Sequence, residues 1–168
     1  MCIEEPPKEQ CYTAPKDFGG SPQVEVVQLS KQMTALFFSA NGGGVSGWPV
    51  HFDLLRPSPG NALDSLFGED ITLSNQSQTA FWGEPALSEE KIFVTANVFF
   101  GPGDAHYGEH RYEISVYLWS EPYYWQVDQY VTFRWYDLDA KADVLRSERP
   151  EILSRLKRVV PAIHERAQ

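Results

Sequence analysis

The sequence predicts a mainly β (α+β) protein, an antiparallel β-sheet or β-sandwich with one amphipathic C-terminal helix packed on it. Three observations predict it. Phe, Tyr and Trp make up 14% of the chain, and aromatic residues favour half-buried pleated surfaces. Three long β-type runs between Ile92 and Tyr136 follow one another through connections that leave no room for crossover helices, which disfavours a parallel sheet. A helical stripe of apolar residues, Ile152, Leu153, Leu156, Val159, Val160 and Ile163, recurs at 3.6-residue spacing only at the end of the chain.

The elements follow in order. Residues 1–22 carry prolines, Gly19-Gly20 and few aliphatics, so they predict a flexible tether before a single β-rich domain over 23–168. Val24 to Leu29 and Thr34 to Ala40 predict two short strands, and Asn41 to Gly47 a flexible break. Trp48 to Leu55 alternates Val50, Phe52 and Leu54 with His51, Asp53 and Leu55, the pattern of a strand with one buried face. Arg56-Pro-Ser-Pro-Gly60 stops it. Ala62 to Phe67 predicts a helical turn or a loop, Ile71 to Leu73 a short strand, and 74–90 a loop with room for one short edge strand. Ile92 to Phe100, Arg111 to Trp119 and Tyr123 to Tyr136 predict a three-stranded meander, the third run placing Trp125, Val127, Val131, Phe133 and Trp135 on one face. In its second strand Tyr112, Ile114, Val116 and Leu118 make an apolar face, while Glu113, Ser115, Tyr117 and Trp119 present the other. The helix is expected over 148–165, capped by Ser147 or Arg149, with Pro150 in its first turn and a kink or end at Pro161.

Charge narrows the partners. The chain has a formal net charge of −9, which argues against nucleic acid because phosphate affinity comes from Lys and Arg. Residues 1–140 hold 7 basic and 19 acidic residues, and 141–168 hold 7 basic and 4 acidic. The acidic body favours another protein with a basic surface. No apolar run is long enough to cross a bilayer.

The two cysteines, Cys2 and Cys11, admit two accounts. A disulfide loop between them implies an oxidising compartment. Alternatively Cys2 is the lipidated first residue of a mature chain whose signal peptide Met1 replaces. The polar, proline-bearing Ile3-Glu-Glu-Pro-Pro-Lys-Glu-Gln10 favours the second, since it suits a tether between anchor and domain. On that account the membrane is reached only through a lipid anchor at Cys2.

Chemical motifs are sparse. Asp104, His106 and His110 are the metal candidates, residue types that ligate zinc, but they fall in a glycine-bounded loop without a helical i to i+4 frame. Asp137-Leu-Asp139 with Asp143 lacks the glycine and distal glutamate of a calcium loop and predicts a solvated turn. No nucleophile elbow, phosphate loop or dinucleotide fingerprint occurs. No catalytic residue and no cofactor is assigned. The aromatic clusters carry more: Trp119, Tyr123, Tyr124 and Trp125, with Asp104, His106, Tyr107 and His110 of the long loop, are the expected partner-binding residues.

In size, acidity and N-terminal tether the chain resembles bacterial periplasmic lipoproteins of the inhibitor and immunity-protein type, including those that act against type VI secretion effectors. That resemblance implies a non-enzymatic envelope protein, outer-membrane-anchored in the periplasm, that occludes a secreted antibacterial effector with an inserted loop, for which Gly101 to His110 is the first candidate. Its rivals are a carbohydrate-binding β-sandwich stacking sugars on Trp119, Tyr124 or Trp125, a metal-dependent hydrolase built on Asp104, His106 and His110, and a subunit of an envelope assembly.

Overall fold

The computed structural model describes residues 2–5, 8–13, 22–42, 49–58, 62–102, 104, 107–138, 140 and 142–166, with side chains described between 11 and 160. It is mainly β, with two sheets and one C-terminal helix. Contacts group the chain into two units, one of residues 1–75 with 121–123 and one of 76–120 with 124–168.

The first unit holds a seven-stranded sheet: β1 (Cys2–Glu5), β2 (Lys8–Cys11), β3 (Gln23–Gln28), β4 (Thr34–Asn41), β5 (Pro49–Ser58), β6 (Ala62–Ser65) and β7 (Ile71–Ser74), in the order β1-β2-β6-β5-β4-β3 with β7 also on β5. Pairings are antiparallel except β2 with β6, which meet in parallel at Cys11 and Ala62. The predicted tether therefore contains a hairpin, β1 on β2, that joins the sheet. The stop at Arg56-Pro-Ser58 comes later than the sequence suggests, because β5 runs through Pro57 to Ser58 opposite β6. Ala62 to Ser65 is likewise a strand and not a helical turn: Leu63 alternates inward between exposed Ala62 and Asp64, the two-residue period of a pleat. A turn at 29–33 closes β3 on β4, with the Leu29 and Ser30 N–H groups donating to the Met33 carbonyl. Phe38, Ala40, Leu55 and Leu63 form one buried cluster of this unit, with Tyr12 and Leu36 packed on it, and Leu29, Leu54, Leu66 and Ile71 are buried as well.

The inner face of β5 differs from expectation. His51, Asp53 and Leu55 are buried; on the other face Leu54 is buried too, while Val50 and Phe52 are half-buried. The polar face of the alternation is thus the one sealed from water, and burial of a carboxylate requires partners.

The second unit holds β8 (Gln78–Trp82), β9 (Ile92–Phe99), β10 (Glu109–Ser120), β11 (Tyr123–Val131) and β12 (Tyr136–Asp137), in the order β11-β10-β9-β8 with β12 also on β10. The expected meander is present, and β8 is the edge strand foreseen within 74–90, but the third strand stops at Val131 instead of running to Tyr136, so Phe133 and Trp135 lie outside it. Register sets Val94, Ala96 and Val98 beside Val116, Ile114 and Tyr112 on one face. Helix α1 (Val144–Arg166) covers that face with Val144, Leu145, Ile152, Leu156 and Val160. On the opposite face Phe93 and Tyr117 are buried, their rings 5.6 Å apart, with Phe81 4.8 Å from Phe93. Tyr117, on the face opposite the helix, is therefore a covered ring and not an exposed one.

The helix begins four residues before its predicted start at 148. Asp143 is its N-cap, with Oδ1 accepting the Arg146 N–H at 3.0 Å, so neither Ser147 nor Arg149 caps it. Gln78 of β8 completes the start: its Oε1 accepts the Leu145 N–H at 3.2 Å and its Nε2 donates to the Ala142 carbonyl at 2.6 Å. Pro150 consequently lies inside the helix on the exposed side, leaving the Arg146 carbonyl without its helical donor. Pro161 does not end the helix, which continues to Arg166.

The arginines of α1 fold back on the sheet. Arg155 grips Asp128 of β11 with Nε at 2.7 Å and Nη2 at 2.9 Å while lying 4.5 Å from the Tyr130 ring centroid. This fork holds the Asp128 carboxyl below its ordinary range, hydrogen bonding from Arg155 being the main cause. Arg149 pairs with Glu84 and lies over Trp82 at 5.2 Å. Buried Glu148 accepts the hydroxyls of Tyr130 at 3.0 Å and Tyr136 at 2.5 Å. Burial, and then the Glu148 carboxylate, push both phenols upward.

Candidate functional site

Among the described residues the most exposed large apolar side chain is Phe133, at 96%, and Trp135 two positions on is 52% exposed. Both lie between β11 and β12. Thr132, fully buried, anchors the segment: its N–H donates to the Tyr112 carbonyl at 2.8 Å, and its hydroxyl accepts the Tyr112 N–H at 3.0 Å and donates to the Arg134 carbonyl at 2.9 Å. Both hydrogen-bonding capacities of one small side chain thus fix the backbone on either side of Phe133. Pairing of His110 with Tyr136 and Glu109 with Asp137 closes the far side. The Leu138 N–H also donates to the carbonyl of Gly108, whose φ of +93° suits glycine.

Arg111 of β10 braces the indole. Its guanidinium carbon lies 5.5 Å from both the Trp135 and the Phe99 ring centroids, contacts worth about 0.5–2 kcal/mol each. The result is an aromatic rim of Phe99, Trp135 and Phe133; Tyr107, in the loop before β10, is 70% exposed. Over 99–113 and 132–137 the acidic residues are Asp104, Glu109, Glu113 and Asp137 and the basic ones Arg111 and Arg134. Four against two leaves the rim acidic.

The predicted binding residues separate into two groups. Asp104, Tyr107 and His110 belong to the rim end of β10, and Trp119 to the other end; nine residues at about 3.3 Å each put these ends roughly 30 Å apart. His106 lies outside the described residues. Asp104 uses Oδ2 to accept the Gly101 N–H at 2.6 Å. His110 is buried, with neither ring nitrogen hydrogen-bonded and its ring edge-on to Phe100 at 5.0 Å. Tyr124 is wholly buried, its hydroxyl donating to the Lys91 carbonyl at 2.8 Å and its ring 5.5 Å from that of Trp119, so it offers nothing to a partner. Trp125 is 48% exposed. Tyr123, in the first unit, lines a cavity of about 510 Å³ with Arg56, Asp64 and Phe67. Among the described residues no cluster of three or more His, Cys, Asp or Glu side chains is arranged to hold a metal ion.

A second constellation lies in the first unit, and the sequence reading missed it. The Tyr12 hydroxyl donates to Asp53 Oδ2 at 2.6 Å and lies 3.1 Å from His51 Nε2, while His51 Nδ1 lies 2.8 Å from Asp70 Oδ1. Asp53 Oδ1 accepts the Ser65 hydroxyl at 2.6 Å and the Leu54 N–H at 2.7 Å. Burial, reinforced by Asp53, drives the Tyr12 phenol far upward and keeps it a proton donor. Ser65 gives its proton to a carboxylate that two other donors already engage. The group satisfies a buried carboxylate and borders a cavity of about 350 Å³ that Thr13, Phe67 and Glu69 also line. Strict alternation of His51 and Asp53 with apolar residues in β5 was the available signal.

No protein-family model, no curated protein and no solved structure matches this chain.

Proposed function

We propose that the chain is a non-enzymatic protein-binding module that engages a basic partner through the aromatic rim around Phe133 and Trp135. The observation that carries this is a nearly fully exposed Phe133 on a backbone pinned by buried Thr132. Exposed rings on fixed backbone lose little conformational entropy on binding, and Trp, Tyr and Arg dominate interface energetics. The acidic surround selects a partner of opposite sign.

The finer reading is an envelope inhibitor of the immunity type, with a secreted antibacterial enzyme as the partner. Support comes from Cys11, which is disulfide-bonded and stands opposite Cys2 in the β1–β2 register. A disulfide suits an oxidising compartment. The envelope location is supported by this disulfide. The occluding element shifts from the Gly101–His110 loop alone to that loop's neighbour, the Phe133–Trp135 segment.

The test is calorimetric titration against basic secreted effector enzymes, with enzyme inhibition read in parallel. Phe133→Ala with Trp135→Ala is expected to weaken binding at least about 100-fold, the scale of two hot-spot residues, and Phe133→Ala alone, which removes a nearly fully exposed ring, to weaken it while leaving the thermal midpoint close to wild type. Unchanged affinity for an inhibited enzyme would move the interface elsewhere. A sugar titrant that quenches tryptophan fluorescence would favour the carbohydrate reading instead.

A further inference from the structure

The first sheet ends on β3, and among the described residues no strand pairs its outer edge. An edge strand offers a row of unsatisfied N–H and C=O groups, and proteins usually blunt such edges with Lys, Pro or a bulge. The segment Gln23-Val-Glu-Val-Val-Gln28 has none of these; it carries three valines and one charge, Glu25. Val26 is 73% exposed and Val24 42%. Such a strand is both a good β former and an open template.

We propose that β3 pairs edge to edge with β3 of a second copy of this chain, in an antiparallel register centred on Val26. The occupant follows from charge and symmetry. Two identical strands that continue one sheet are related by a two-fold axis perpendicular to it, so one residue of β3 must face itself across the axis. An axis at Glu25 opposes two carboxylates directly, which destabilises a cross-strand pair. An axis at Val26 instead sets Val26 against Val26, Glu25 against the copy's Val27 and Val24 against the copy's Gln28. Every charge then faces an uncharged residue, and two exposed valines become a cross-strand apolar pair. The pairing makes a continuous sheet across two copies, and it stands or falls separately from the rim, which lies in the other unit.

The two associations also respond oppositely to salt. Two chains each at −9 repel, and added salt screens that repulsion, so the copy-to-copy contact tightens where a complex with a basic partner weakens.

Sedimentation equilibrium of the full chain from micromolar to millimolar concentration tests this. The wild type is expected to show a monomer–dimer equilibrium strengthened by NaCl. Val26→Lys sets two lysines face to face and raises the dimer dissociation constant about tenfold or more, and Val26→Glu does the same with two carboxylates. A mixture of the two variants regains the dimer, because position 26 meets only itself. Far-ultraviolet circular dichroism of both variants matches wild type. A wild type that stays monomeric throughout, a dimer indifferent to both substitutions, or a mixture no more associated than its components overturns the proposal.

Discussion

Thr132 shows how much one side chain decides. Its hydroxyl serves the Tyr112 N–H and the Arg134 carbonyl together, and it is fully buried, so Thr132→Val keeps the shape and strands both partners. The expected cost is about 1–3 kcal/mol, read as a lower urea midpoint at unchanged slope, together with weaker partner binding because Phe133 and Trp135 lose their fixed backbone. An unchanged midpoint would show that water replaces the hydroxyl. Nothing in the sequence around Thr132 announces this role, since its partner Tyr112 lies a full strand away. The same holds for His51 and Asp53. Their alternation with Val50, Phe52 and Leu54 was legible, but which face water reaches was not, because Tyr12 and Asp70 arrive from outside the strand to satisfy the polar side.

Periodicity located strands and helix well, and it failed at boundaries set by distant residues. The helix starts at Val144 and not at 148 because Asp143 caps it and Gln78, a residue of β8, completes its first turn. The alternation that places Ile114 on the apolar face sets Tyr117 on the opposite one, but a two-residue period separates faces without saying what covers each, and Tyr117 is covered as well. The Arg155–Asp128 fork ties α1 to β11, beside the apolar face that packs on the sheet. Asp128→Asn is expected to lower stability by about 1–3 kcal/mol at neutral pH, the range for hydrogen bonds to charged groups. Because folding lowers the Asp128 pKa, its contribution is intact above about pH 5 and disappears as pH falls through the folded value, below the ordinary carboxyl near 4. The gap between wild-type and variant thermal midpoints should therefore close toward pH 2. A gap that holds constant in acid would assign the loss to packing.

At the scale of the molecule, both units keep tyrosines protonated: Tyr12 in the first, and Tyr124, Tyr130 and Tyr136 in the second, are all raised, chiefly by burial. The unfolded chain releases these protons near pH 10 while the folded chain retains them. Stability is therefore complete below that pH and declines above it, and the thermal midpoint should fall steeply between about pH 9 and 11, with phenolate absorbance rising together with the loss of ellipticity. Phenolate forming fully before unfolding would contradict the burial. The acidic bias of the body was plain in the composition; the inward use of the helix arginines on Asp128 and Glu84 was not, and it leaves α1 less positive toward solvent than its sequence suggests. One clasp binds the second unit's parts into a single cooperative event. The Gln78 amide acts as a borrowed peptide group, accepting from Leu145 and donating to Ala142 as a backbone unit of the sheet would. A free helix end normally frays by itself. Here opening the first turn of α1 also breaks two hydrogen bonds to the edge strand β8, so this end is expected to fray less than a free one.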